Sequence, residues 1–235
     1  MNKPDSSFAP EIDLDSDFLN YIIKHGFQPG SQLPSIQKLQ EAEHLGVSAS
    51  KIREQLEVAR ALGLVEVRSK TGTRLQEYSF APAVRLSLFF ALATKLHYFE
   101  QFSALRTHLE VAFWNEACAL LTADDTAEMQ GTIEAARAKL SGRWIHMPYQ
   151  EHRAFHMTVF KHLDNPFVKG LLEAYWDAYE AVEVNRYADY AYLQNVWNYH
   201  ERILNAICAG DFEAAKTAFV EHTHLLHYQP SEAKE

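Results

Sequence analysis

The stretch SASKIREQLEVARALGLVEVRSKTGTRLQE, residues 48–77, changes its hydrophobic period once and thereby decides the fold of this part of the chain. Its first half has apolar residues at helical spacing, and Ser48 is a residue type that caps helix N-termini. Gly63 ends that helix, and the segments 64–68 and 73–77 then alternate apolar and polar residues with the period of a β-strand. Because residues 69–72 supply turn chemistry, the sequence predicts one helix followed by a β-hairpin.

Two further short helices are predicted upstream of this stretch. The first has apolar residues at helical spacing and ends at Pro29-Gly30, and the second has Ser35 as its N-cap. Gly46 permits the sharp turn that follows. Three short helices and a hairpin describe a winged helix-turn-helix domain. The expected ranges are 18–27 and about 35–44 for the two helices, 18–78 for the domain and 1–17 for a flexible N-terminal tail.

The charge of the chain is distributed unevenly. All 235 residues together carry a formal net charge of -9, which argues against nucleic-acid binding. Residues 20–76, however, contain eight basic and five acidic side chains, whereas residues 79–235 contain 13 basic and 20 acidic ones. A basic module joined to an acidic one is compatible with a DNA-binding domain attached to a second domain that stays off DNA.

The sequence contains no segment typical of secretion or membrane insertion. The most apolar run, residues 89–93, is far shorter than the ~20 residues that span a bilayer. The N-terminus is acidic and lacks the basic start and apolar core of a signal peptide. We therefore expect a cytoplasmic protein with no membrane partner, in which Cys118 and Cys208 are buried free thiols rather than a disulfide or a metal-binding pair.

Strand patterns do not recur after residue 78, and successive amphipathic helices predict a mainly α protein. We place an all-α bundle at residues 83–227. Helix starts are marked by a capping box at Thr122 and Asp125 and by N-caps at Asn165 and Asp211. The expected helices are about 82–97, 99–121, 124–141, 148–163, 166–186, 189–209 and 212–227.

Polar residues at the start of the third helix are candidates for DNA contact, because the recognition helix of a helix-turn-helix reads base edges with its N-terminal side chains. Arg53 can donate a bidentate pair to guanine or clamp a phosphate, and Lys51 can act as a point charge towards the backbone. Arg53 could instead pair with Glu57, one helical turn on. The candidate DNA-binding residues are Ser35, Ser48, Ser50, Lys51 and Arg53, with Lys70, Thr71 and Gly72 at the hairpin tip.

Four separate blocks of this domain match a known pattern: Pro29-Gly30-Ser31-Gln32-Leu33-Pro34-Ser35, Leu45-Gly46-Val47-Ser48, Ile52-Arg53-Glu54-Gln55-Leu56 and Leu62-Gly63-Leu64-Val65. In order and at near-family spacing, they resemble the GntR family. The resemblance implies DNA contacts at Ser48, Ser50, Lys51, Arg53 and the Gly72 wing tip. Ala49 stands where the family usually has arginine, and the segment from Pro34 to Gly46 is longer than usual. The operator sequence therefore stays open.

Four histidines lie on predicted helices from which they could converge. His152 and His156 are spaced i, i+4 and so project from one helix face. His200 begins an inward-facing stretch, and His222 lies on the last helix. Neutral imidazoles from three helices inside a bundle form a transition-metal site by type, for Zn, Ni, Fe or Mn. A single histidine on a helix is more often a satisfied core or surface residue, and the spacing alone leaves that alternative open.

Four separate segments of the second domain match a known pattern: Arg106-x2-Leu109-Glu110, Phe155-His156, His200-x2-Ile203-x2-Ala206-Ile207-x2-Gly210-Asp211 and Ala215-x6-His222. Over about residues 83–227 the domain resembles the FCD effector domain of FadR-type GntR regulators, which implies a domain for ligand sensing and dimerisation. The resemblance implies metal ligands at His152, His156, His200 and His222, and a carboxylate-binding arginine at Arg106. His152 stands where the family has aspartate, and an all-imidazole set favours Zn or Ni over Mn. His224 could substitute for His222, and loss of the metal site is an alternative.

A dense run of aromatic residues lies in the same domain. It either shapes a ligand pocket or packs between long helices. Its members are Tyr175, Trp176, Tyr179, Tyr187, Tyr190, Tyr192, Trp197 and Tyr199.

These features predict a ligand-responsive transcription regulator, which we expect to be a repressor. It would bind a palindromic double-stranded DNA operator as a homodimer and respond to a small organic or sugar acid. The alternatives are a metal-dependent hydrolase built on the helical domain and a regulator whose metal is purely structural. The hydrolase is disfavoured because His152-Arg-Ala-Phe-His156 lacks the glutamate that metalloproteases place directly after the first histidine. We therefore predict a protein that is not an enzyme.

Overall fold

The chain divides into two units, Met1–Ser79 and Phe80–Glu235, in this computed structural model. The structure describes residues 12–41, 44–142, 146–182 and 190–225. Each unit is built around hydrophobic side chains of its own.

The described residues of the first unit form three helices and a two-stranded sheet, which confirms the winged helix-turn-helix. Ser16, Ser35 and Ser48 cap the helices, because each hydroxyl accepts a backbone N–H of the first turn. The two strands are antiparallel, with Val65 opposite Leu75. The elements are α1 (Asp17–Lys24), α2 (Ile36–Leu39), α3 (Ala49–Ala61), β1 (Val65–Arg68) and β2 (Gly72–Leu75).

The second helix is shorter than the predicted range of about 35–44. After α2, the N–H of Leu45 donates to the carbonyl of Leu39 and the N–H of Gly46 donates to that of Glu41. These bonds close a turn instead of continuing the helix, and Gly46 adopts a φ of 64° that favours glycine. Residues 42 and 43 lie outside the described part of the chain.

The second unit is helical throughout its described residues, as predicted. The capping box of Thr122 with Asp125 and the caps Asn165 and Asp211 are all confirmed. Four helices end three to five residues earlier than expected, at Thr94, Val159, Ala181 and Thr223. The helices are α4 (Ala81–Thr94), α5 (Tyr98–Ala119), α6 (Ala123–Ser141), α7 (Tyr149–Val159), α8 (Pro166–Ala181), α9 (Tyr190–Cys208) and α10 (Phe212–Thr223).

The two cysteines have different environments. Both are free thiols, but only Cys118 is buried, so the prediction that Cys208 is buried was wrong. Cys208 is the last residue of α9, where the helix ends before Gly210 and Asp211 and the side chain reaches solvent. Burial raises the pKa of the Cys118 thiol to about 12, which keeps it protonated and unreactive.

Helix α8 packs tightly against the start of α4. A Cβ added at Gly170 would lie 2.7 Å from the backbone nitrogen of Ala81 and 2.7 Å from the Cβ of Phe80. Two charged contacts extend this packing, because Asp177 of α8 pairs with both Arg85 of α4 and Arg153 of α7. Helix α8 therefore connects the first helix of this unit to α7.

We expect Gly170→Ala to lower the free energy of unfolding, since overpacking costs about 1–3 kcal/mol and backbone atoms cannot move aside like a flexible side chain. Gly131 of α6 is the matched control, because no atom lies within 4 Å of its added Cβ. Gly131→Ala should stabilise by about 1 kcal/mol through helix propensity. Thermal unfolding followed by circular dichroism compares the two, and equal stabilisation by both variants would contradict the tight contact.

Candidate DNA-binding surface and metal centre

The N-terminus of α3 presents candidate DNA contacts at the surface. Ser48 accepts the N–H of Lys51 at 3.2 Å and so fixes the start of the helix. Its hydroxyl proton is left to donate, and a phosphate oxygen is a suitable acceptor. Ser35 caps α2 in the same way, by accepting the N–H of Lys38. Ser35, Ser48, Ser50, Lys51 and Arg53 are all exposed.

Arg53 and Lys51 differ in their availability. Arg53 has no ion pair within the described part of the chain, and Glu57 pairs instead with Arg60 at 2.7 Å. The alternative pairing of Arg53 with Glu57 was therefore wrong. Lys51, in contrast, lies 2.7 Å from Asp17 of α1, so it must leave this exposed pair before it can contact a phosphate.

The hairpin tip forms the wing of the first unit. Lys70, Thr71 and Gly72 are exposed, and Gly72 has a φ of 77°. The amide of Gln32 donates to the carbonyl of Thr71 at 3.1 Å, which ties the tip to the chain ahead of α2. The glycine lets the turn form and leaves the tip free of a bulky side chain.

In the second unit, the four predicted histidines meet in one buried cluster. His152 and His156 come from α7, His200 from α9 and His222 from α10, and their exposures range from 0% to 7%. The Nε2 atoms of His152 and His222 are 3.3 Å apart, and those of His156 and His200 are 3.2 Å apart. One nitrogen from each of the four rings lies within 4.8 Å of all the others.

Burial keeps these imidazoles neutral. It lowers the pKa of His200 from 6.5 to about 3, with Arg106 adding to the shift and the hydrogen bond to Val196 opposing it. It lowers the pKa of the other three well below 6.5, with the neighbouring rings and Arg106 adding further depression. A neutral imidazole offers one nitrogen lone pair to a metal. For His200 this nitrogen is Nε2, since Nδ1 donates to the carbonyl of Val196 at 2.8 Å.

A buried ion pair flanks the cluster. Arg106 and Glu110 face each other one turn apart on α5, and Nη2 of Arg106 lies 3.0 Å from Nδ1 of His156. The Arg106 guanidinium also lies 4.8 Å from the ring centroid of Tyr175. Burial raises the pKa of Glu110 to about 7 even though Arg106 opposes the shift. The sequence analysis named Glu110 only as the end of the motif Arg106-x2-Leu109-Glu110. The i, i+4 spacing of the two residues was the signal that could have identified Glu110 as the partner of Arg106.

The aromatic run contributes mainly to packing around the histidines. Tyr175, Trp176, Tyr179 and Trp197 are buried, and Tyr179 contacts Nδ1 of His152 through its hydroxyl at 3.2 Å. A small cavity beside Arg106 is lined by Tyr175 and Tyr192, but its volume of about 10 Å³ fits roughly one water molecule. Tyr187 lies outside the described residues.

The nitrogen atoms fit a transition-metal ion. Zinc–nitrogen bonds of about 2.0–2.1 Å place tetrahedral ligands about 3.3 Å apart. Two nitrogen pairs of the cluster are at 3.2 and 3.3 Å, and all four ligand atoms lie within 4.8 Å of one another. The Nδ1 atom of buried His222 has no hydrogen-bond partner among the described residues, so this ring could offer Nδ1 instead of Nε2 to an ion, and a ligand there would satisfy an otherwise costly group.

We expect the protein, once treated with chelator, to lose stability as the pH falls below 6.5. The unfolded histidines then bind protons that the folded, desolvated rings resist. Because its pKa is lowered to about 3, His200 alone should reduce the free energy of unfolding by about 2 kcal/mol as the pH falls from about 7.5 to about 5. His200→Gln should reduce this pH dependence by that amount in denaturant unfolding. His108→Gln, at an exposed position of α5, should leave it unchanged. An identical pH dependence for all three proteins would contradict the neutral buried cluster.

In comparisons with known proteins, each of the two units matches a protein family. Residues 18–75 match the bacterial regulatory proteins of the gntR family, and residues 101–225 match the FCD domain. The chain is 30% identical over 211 residues to the HTH-type transcriptional regulator LutR of Bacillus subtilis (strain 168), covering 86% of this chain and 92% of LutR. It is 24% identical to the Uxu operon transcriptional regulator of Escherichia coli (strain K12), covering 94% of this chain and 87% of that protein.

The solved structure of a Streptococcus agalactiae GntR protein has the same fold, with a TM-score of 0.64, 20% identity and coverage of 88% of this chain and 94% of that one. The relatives are named as transcriptional regulators, in agreement with the predicted absence of enzymatic activity. No helix in the described residues is long and apolar enough to cross a membrane. The chain therefore belongs to the GntR family of bacterial regulatory proteins with an FCD domain, and it is a DNA-binding transcriptional regulator.

Proposed function

We propose that this regulator releases or binds its operator in response to a small carboxylate ligand that is recognised beside a four-histidine metal centre. The observation that carries the proposal is the convergence of four neutral, buried imidazoles with the buried cation Arg106. A protein gains no packing advantage from this many desolvated polar groups, and such groups are retained where they bind something.

His152, His156, His200 and His222 would hold the metal through one nitrogen each. The absence of a carboxylate ligand favours Zn or Ni, because imidazole suits these metals and oxygen ligands suit Mn. A bound metal supplies a Lewis-acidic positive charge that can accept a ligand oxygen. Arg106 would hold the ligand carboxylate through its fork of N–H groups.

The ligand must rearrange the site in order to enter. The cavity beside Arg106 has room for roughly one water, which is smaller than any organic or sugar acid. A ligand that binds one arrangement of this unit better than another shifts the population between them. Changed placement of the two DNA-binding units on a palindromic operator is the output that we propose, with repression as the default state.

Homodimerisation is supported by α4. Arg85 is its one charged residue among 14, and Leu86, Phe89 and Phe90 are exposed, Phe90 by 74%. A helix that is apolar all round is expected to be buried. A second copy of the chain would cover this face and bring two recognition helices to the two half-sites.

Arg53→Ala should weaken binding to the DNA upstream of the protein's own gene by about 1–3 kcal/mol, roughly 5- to 150-fold in Kd, because a base or phosphate contact is lost. Arg60→Ala is the matched control, as Arg60 lies on the same helix but is paired with Glu57. Mobility shifts at several salt concentrations measure both. If Arg53→Ala binds as tightly as the unmodified protein with the same salt dependence, α3 is not the recognition helix.

Native mass spectrometry of the purified protein should give the mass of two chains with one Zn or Ni ion per chain, and a co-purified acid would identify the ligand class. His156→Gln should lose the metal, whereas His224→Gln should keep it because His224 is exposed. Absence of metal from the unmodified protein overturns the proposed centre. Retained metal with DNA affinity that no carboxylic acid alters would identify the metal as purely structural.

A further inference from the structure

Hydrogen-bond directions in the histidine cluster form one continuous chain. The guanidinium of Arg106 can only donate, so Nδ1 of His156 must accept at 3.0 Å, and the ring proton of His156 lies on Nε2. That proton points to Nε2 of His200 at 3.2 Å, which is free to accept because Nδ1 of His200 donates to Val196. His200 already has its lone pair on Nε2, whereas His156 does not.

His156 cannot keep its proton on Nε2 and also bind a metal through that atom. To bind a metal through Nε2, neutral His156 must carry its proton on Nδ1. The Nδ1–H group would then face Nη2 of Arg106, and two donors cannot share one hydrogen bond. Another group must therefore accept a hydrogen bond from Nδ1–H, and the Nη2 group of Arg106 must move away.

Glu110 is the available acceptor. Its Oε1 lies 3.6 Å from Nδ1 of His156, and its side chain is 0% exposed. Although Glu110 pairs with the Arg106 charge, neither of its carboxylate oxygens accepts a well-directed hydrogen bond within the described residues. A metal-bound histidine commonly donates its second N–H to a carboxylate, which fixes the ring and strengthens it as a ligand.

We propose that Glu110 is a positioning residue for the metal centre: its carboxylate accepts a hydrogen bond from Nδ1–H of His156, and the same exchange releases Arg106 for the ligand carboxylate. The inference rests on the proposed metal centre. Arg106 would stay engaged with His156 until Nε2 of that ring became a metal ligand, so Arg106 could bind the ligand carboxylate only afterwards. Helix α5 thereby supplies both the carboxylate that supports the metal and the arginine that binds the ligand.

Variants of α5 give opposite effects on metal affinity if this exchange occurs. Glu110→Gln should weaken Zn²⁺ binding by about 10- to 100-fold, the usual effect of losing such a supporting carboxylate. Arg106→Met should bind Zn²⁺ at least as tightly as the unmodified protein, because it removes the competing donor and a positive charge. Glu116→Gln, an exposed position on the same helix, is the control for the change in charge and should have no effect. Competition titration of full-length, chelator-treated protein with a zinc indicator measures all three.

General damage to the unit would weaken Zn²⁺ binding in both Glu110→Gln and Arg106→Met, and that outcome overturns the proposal. Circular dichroism and thermal unfolding without added metal identify a variant that fails to fold. The unmodified protein provides a test that needs no functional variant. With ¹⁵N-labelled histidine, the imidazole spectrum should show His156 protonated on Nε2 after chelation and on Nδ1 after Zn²⁺ addition, with assignment by His156→Gln.

An unchanged tautomer of His156 on Zn²⁺ addition overturns the exchange. Equal Zn²⁺ affinity of Glu110→Gln and the unmodified protein overturns the role of Glu110 while leaving the metal centre intact. Failure of the unmodified protein to bind Zn²⁺ or Ni²⁺ is a different result, because it removes the proposed centre itself.

Discussion

Desolvation of four imidazoles and one ion pair is the constraint on which the second unit depends. Removing these groups from water is unfavourable unless each finds a partner, so α5, α7, α9 and α10 must hold them in mutual contact. Trp114 and Phe219 stack at 4.6 Å beside the cluster and exclude solvent. The same burial that keeps the rings neutral leaves each of them one nitrogen lone pair, so the packing of the core and the chemistry of the site have one cause.

The first unit depends on local interactions, and for that reason the sequence predicted it well. Serine caps, the change of hydrophobic period at Gly63 and the hairpin turn all act over a few residues. The short α2 was missed because the bonds from Leu45 and Gly46 back to residues 39 and 41 form a turn that periodicity does not distinguish from a helix. The pair of Lys51 with Asp17 was missed because it joins residues on two different helices.

The sequence predicted which residues form the candidate site, but not which of their atoms contact one another. The four histidines and Arg106 followed from resemblance and spacing, and the structure brings the histidines within 4.8 Å of one another. Glu110 required the structure, since only the distance to Nδ1 of His156 distinguishes it from an ordinary partner of Arg106. Burial of Cys208 was mispredicted because an apolar helical context does not show which face a terminal residue occupies.

The burial of the histidine cluster also affects how fast a metal ion could enter or leave it. None of the four rings is more than 7% exposed, so the packing of the described helices would shield an ion held there from solvent. Entry and departure would require local opening of α10 or α7, and the rate of such opening falls as the packing around it becomes more stable. Metal content in this unit would then record which ions were present when the helices last opened, and would respond slowly to later changes in their concentration.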